Sequence, residues 1–89
     1  MKVERNEYLV VYAGQNMAVY LYQKLLKKPC NVELVSTPSK IYRGCSHSVK
    51  FYEDDMDDVI DETKKLSSHP KGIYRIVKDG KYETYQKIS

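Results

Sequence analysis

No run of about 18 apolar residues occurs anywhere in this 89-residue chain, so no helix is expected to cross a membrane. The N-terminal segment, residues 1–7, is charged and has no apolar h-region, so no secretory signal is expected and the protein is assigned to the cytoplasm. Cysteine is scarce: Cys30 and Cys45 alone, which in a chain without a signal points to a reducing compartment and free thiols. The two histidines, His47 and His69, are scattered and lack metal-ligand spacing, so neither a metal nor another cofactor is expected. A net charge of +3 is too small to imply nucleic-acid binding by itself. Tryptophan is absent and there is one phenylalanine, against nine tyrosines. Tyrosine packs a ring while keeping its hydroxyl at a wet edge, which suits the thin core of a small domain.

What is present reads as one α+β domain over residues 1–89, with no repeat, linker or low-complexity segment. Residues 7–13 are β-branched and aromatic, the composition of a covered central strand. Gly14-Gln15-Asn16 breaks that run. From Asn16 to Lys28 the apolar positions Met17, Ala18, Leu21 and Leu25 recur at helical spacing, and Pro29 stops the helix. Residues 32–36 and 48–52 read as short strands. A second helix begins in the acidic turn 53–55, buries Met56, Val59, Ile60, Thr63 and Leu66, and ends near Lys64-Lys65. The acidic run Glu53–Glu62 reads as its solvated face. Residues 73–77 form a fourth strand, and Asp79-Gly80 is a two-residue hairpin turn leading to an edge strand over 81–88. The order βαββαβ with one extra C-terminal strand predicts a ferredoxin-like sandwich, an antiparallel sheet with two helices on one face. Right-handed crossovers put the first strand between the third and fourth.

The connection over residues 38–48 carries the chemistry. It is longer than the usual ~4–6 residues, and it holds Cys45 beside Arg43, Gly44 and His47. In the expected topology three segments meet at one edge of the sheet: Gly14-Gln15-Asn16 opening the first helix, the Cys45 loop, and the Ser67–Gly72 turn. Gly14, Gln15 and Asn16 would offer backbone amides at a helix N-terminus, and Arg43 and His47 positive charge. Such surroundings lower a thiol pKa and make Cys45 nucleophilic near neutral pH. Cys30 is expected at the opposite edge, too far to pair with Cys45, as a structural residue after a helix stop.

Tyr8-Leu9-Val10-Val11-Tyr12 with the following helix, Pro38 opening the loop, Gly44-Cys45 and Val49-Lys50-Phe51 together resemble the small family of putative selenium/sulfur carrier-like proteins. The resemblance covers roughly residues 7 to 77 by this reading of the elements. In the family the glycine commonly follows the cysteine; here Gly44 precedes it and Ser46 follows. The resemblance implies that Cys45 carries a sulfur or selenium atom as a persulfide or selenosulfide, taken from a donor protein and passed to an acceptor. It implies a non-enzymatic carrier, and no acid/base pair for turnover is visible in the sequence.

Two other functions are open at this stage. One is a non-catalytic interaction or regulatory module, homodimeric through a tyrosine-rich open sheet face. The other is a single-stranded RNA-binding sheet on which Tyr8, Tyr12, Tyr74, Tyr82 and Tyr85 stack bases, with Lys71, Arg75, Lys78, Lys81 and Lys87 nearby. Against the second stand the acidic helix and the lack of an RNP-like glycine-aromatic motif.

Overall fold

The β-branched and aromatic runs form five strands and the amphipathic stretches two helices: β1 (Glu7–Val11), α1 (Asn16–Leu26), β2 (Glu33–Ser36), β3 (His47–Tyr52), α2 (Met56–Lys65), β4 (Gly72–Asp79) and β5 (Tyr82–Lys87), with a 3₁₀ turn over Glu53–Asp55 before α2. The computed structural model describes residues 6–14, 16–44, 46–66 and 69–89. The strands make one antiparallel sheet in the order β2-β3-β1-β4-β5, an α+β architecture. β1 lies between β3 and β4, where right-handed crossovers place it.

Alternation along β1 decides what each face does. Tyr8, Val10 and Tyr12 join Val49, Phe51 and Ile73 from the neighbouring strands, Ala18, Leu21 and Leu25 from α1 and Val59 from α2 in one buried cluster. Both helices therefore cover this face. The Tyr8 and Phe51 rings stack within it, 5.5 Å apart at 19°.

The second face is not the bare tyrosine surface that the aromatic content suggests. Leu9 and Val11 point there and are only 2% and 1% exposed. Ser48, beside Val11 on β3, is fully buried. Lys40, in the connection leaving β2, donates from Nζ to the Glu83 carbonyl of β5 at 3.0 Å, joining the two edges of the sheet. Of the five tyrosines proposed as a stacking platform, Tyr8 and Tyr12 lie in the helix-side cluster. Tyr74 and Tyr85 are half-buried, and Tyr82 is exposed near the hairpin turn. They share no single face, because a period of two sends Tyr8 and Tyr12 to the side that the helices cover. The RNA-stacking geometry is thereby corrected.

The acidic run is also corrected at one position. Glu62 is buried, and its carboxylate accepts from Lys28 at 2.7 Å and lies 3.5 Å from Lys65. Lys28, two residues past the end of α1, thus ties that end of the helix to α2. A second buried carboxylate, Glu7, pairs with Lys50 at 2.9 Å and with Lys78 on the second face.

These two carboxylates give the protein an acid limit. The Lys28 hydrogen bond holds Glu62 below the usual carboxylate range. Burial pushes Glu7 up, but the hydrogen bonds and charges of Lys50 and Lys78 together outweigh it and leave its pKa lowered. A folded pKa below the unfolded value of 4.5 means stability that is present above pH 4.5 and lost as pH falls through the folded values. Glu7→Gln with Glu62→Gln is expected to lower stability at pH 7 by roughly 1 kcal/mol per site and to flatten its fall below about pH 5. Urea unfolding at a series of pH values checks both; an unchanged acid slope in the double variant would contradict the assignment.

Candidate functional site: the rim of the sheet at the start of β3

Strand register brings the segments of interest to one rim. Val11, the last residue of β1, pairs with Ser48 near the start of β3 and with Gly72 at the start of β4. Ser36, the last residue of β2, pairs with His47. The Lys71 amide donates to the Val11 carbonyl at 2.6 Å, fixing the approach to β4. The turn after β1, the loop before β3 and the turn before β4 therefore leave from the same edge. Cys45 and Gln15, together with Ser67 and Ser68, lie outside the described residues, so the geometry comes from their neighbours.

Gly14 is exposed with φ at 90°, a left-handed conformation that a side chain would strain, and it lets the chain reverse from β1 into α1. Asn16 begins the helix and is exposed. Arg43 and Gly44 are exposed, and His47 is half-buried. Gly44 packs close to the exposed Tyr42 ring: a Cβ there would stand 2.8 Å from it and would push the ring aside. The loop is pinched at its base, where the Thr37 amide donates to the Ser46 carbonyl at 3.1 Å. Inside it, the Ile41 and Tyr42 amides both donate to the Pro38 carbonyl, at 2.9 and 3.1 Å. The long connection is thus a turned and tethered loop, and Cys45 sits in sequence between a glycine crowded by a ring and a serine bonded at the pinch.

Ser46 and Ser48 are legible in the sequence as small hydroxyl donors beside Cys45, but their burial and the Thr37 partner are not. The Thr37 and Ser48 hydroxyls lie 2.6 Å apart. Ser46 is 4% exposed, and its Oγ has no partner among the described residues; the same holds for Tyr12 Oη and His47 Nδ1. Burial pushes the Tyr12 phenol up to about 12. The alternation of Ser46 and Ser48 is visible in the sequence, but the burial of these serines depends on what covers the second face.

Cys30 stands at the other end. Its thiol donates to Asp58 at 3.7 Å, and the next amide, of Asn31, donates to Asp55 at 3.0 Å; both acids follow the far end of β3. Burial first, then the Asp55 and Asp58 charges, push this thiol up to about 11. Ligand-type atoms of Cys30, Asp55 and Asp58 all lie within 4.8 Å of one another. The thiol keeps its proton in that setting, and the Lys28 ammonium already lies 3.8 Å from Asp58. One shallow depression of the described surface, lined by Asn6, Glu7, Tyr52, Arg75 and Lys78 among others, lies at the end of β1 away from the rim.

A family model described as "Putative Se/S carrier protein-like" matches residues 7–75, most of the chain. The chain belongs to this family. The matched span runs from β1 into β4 and includes the whole rim and the Cys45 loop. No curated protein and no solved structure matches the chain. No helix among the described residues is long and apolar enough to cross a membrane.

Proposed function

We propose that this protein is a carrier of sulfur or selenium, with Cys45 as the loaded thiol. The observation that carries the reading is the family match across residues 7–75, which spans Cys45. The chemistry of the other thiol supports it. Cys30 is hydrogen-bonded and held protonated beside two carboxylates, which leaves Cys45 as the nucleophile. In the loading step the Cys45 thiolate attacks the outer sulfur of a donor persulfide. A sulfur–sulfur bond forms on Cys45, the one in the donor breaks, and the donor sulfur leaves as a thiolate, with no net oxidation. An acceptor thiolate then takes the outer atom by the same exchange.

The amides at the start of α1, around Gly14, Gln15 and Asn16, with Arg43 and His47, favour the Cys45 thiolate, and Gly44 leaves the loop free of a side chain beside the Tyr42 ring. The partners are a donor protein that already bears a persulfide or selenosulfide and an acceptor protein, in the cytoplasm, where free thiols persist. The βαββαβ order of elements supports a ferredoxin-like arrangement extended by β5.

The test is direct. The full chain is treated with inorganic polysulfide, and each cysteine-containing peptide is mapped by mass. One added sulfur on the Cys45 peptide alone is the expected result. Addition to neither cysteine, or equal addition to both, would remove the carrier reading.

A further inference from the structure

β5 ends the sheet, hydrogen-bonded to β4 alone among the described residues. An edge strand offers a row of unpaired N–H and C=O groups to any strand that can match it. One contact fixes which groups these are. The Ile88 amide donates to the Ile73 carbonyl at 2.8 Å, toward β4. The period of two then turns the backbone groups of Tyr82, Thr84 and Gln86 toward β4 as well, and those of Glu83, Tyr85 and Lys87 outward. The Glu83 carbonyl agrees, since Lys40 Nζ reaches it at 3.0 Å. The strand is exposed along its length except at half-buried Tyr85. β2, the other edge, is only four residues long and half-buried at its centre.

β5 matches itself when a second copy is laid antiparallel with Tyr85 opposite Tyr85. Glu83 then faces Lys87 of the second copy, and Lys87 faces Glu83, so opposite charges meet at both ends. All of these positions are outward ones, and each facing pair exchanges both of its backbone hydrogen bonds. The Glu83 carbonyl keeps a second lone pair for the new amide beside Lys40. On the other face of the strand Tyr82 comes opposite Ile88 of the second copy. These are two large apolar side chains that stand in water, 73% and 47% exposed. The neighbouring registers that still pair outward positions are worse. One sets Lys81 against Lys87, two like charges, and the other sets Lys87 against Tyr85 and loses both ion pairs. We propose that this protein forms a two-fold symmetric dimer through β5, in which the sheets of two copies run on as one. The occupant of the edge is a second copy because the complement of β5, in charge, apolar contact and hydrogen-bond phase, is β5 itself. The strand lies beyond residues 7–75 that the family model matches, so this surface is additional to the matched fold.

Sedimentation of the full chain over a concentration series reads the association. Wild type is expected to pass from monomer to dimer as concentration rises. Glu83→Lys sets like charges against Lys87, and Lys87→Glu sets like charges against Glu83. Each is expected to weaken association about tenfold or more, because two attractive pairs become repulsive. An equimolar mixture of the two variants brings opposite charges together again at both pairs and is expected to dimerise about as well as wild type. Damage to the fold of either variant would give no such rescue. Wild type that stays monomeric throughout would overturn the proposal. So would a dimer that both variants retain, or a mixture that associates no better than the separate variants.

Discussion

Cys45→Ser is expected to abolish sulfur loading, and Cys30→Ser to leave it unchanged. The difference follows from the ionisation of the two thiols. At pH 7 a thiol with a pKa of about 11, as for Cys30, is ionised in about one molecule in 10⁴, against about three in a hundred for an ordinary cysteine near 8.5. That ratio of roughly 300 is partly offset, because the more basic thiolate is intrinsically the stronger nucleophile by about tenfold. Cys45 is therefore expected to alkylate at least ~20-fold faster than Cys30 at pH 7, and faster still where its neighbours lower its pKa. The Cys30 rate should climb about tenfold per pH unit until it levels near 11. Iodoacetamide labelling across pH, with mass mapping to each cysteine, reads both curves. Comparable rates at neutral pH would mean that Cys45 is as poorly ionised as its counterpart, and the nucleophile assigned to the loop would be lost.

Phe51→Ala is expected to destabilise the protein by about 3–5 kcal/mol. Phe51 is fully buried in β3, stacked on Tyr8 and packed in the cluster that joins both helices to the sheet. A chain of 89 residues commonly has roughly 4–13 kcal/mol to lose, so this one truncation consumes a large part of it. The effect reaches function because β3 also carries His47 and Ser48 to the rim. Tyr8→Phe keeps the stacked ring and should change little. Tyr82→Ala, at a position 73% exposed, should stay within about 0.5 kcal/mol of wild type. Urea unfolding followed by circular dichroism measures all three. A Phe51→Ala protein as stable as Tyr82→Ala would mean that the helices are not held through this ring.

The elements were legible because their signals are local. Asn16 to Leu26 shows its apolar stripe at helical spacing, and the hairpin expected at Asp79-Gly80 forms one residue later: Asp79 still pairs with Tyr82, so Gly80, at a φ of 61°, and Lys81 are the turn residues. The observed ends differ by a residue or two from the reading: α1 stops at Leu26 where 16–28 is expected, and β4 runs over Gly72–Asp79 where 73–77 is expected. The reason is that β4 extends past β1 to pair with β5 through Lys78 and Asp79, an extension that no period-two pattern announces.

Sequence also pointed to the rim. Once the strand order is β3-β1-β4, the segments around Gly14, Gly44 and Gly72 leave from the same edge, and Cys30 falls at the other end. Glu62 and Glu7 were not legible. Each is one acid among several in the sequence, and each is buried only because a lysine from a distant element, Lys28 or Lys50, closes over it.

By itself, then, the chain determined its elements, its α+β class, its family and the loop that holds Cys45, because spacing, turn chemistry and motif are written in consecutive residues. Tertiary structure alone decided which tyrosines are covered and which hydroxyls are left without a partner among the described residues. It also decided that Cys30 keeps its proton. Burial and local charge belong to side chains brought together from distant parts of the chain, and no window of sequence contains both members of such a pair.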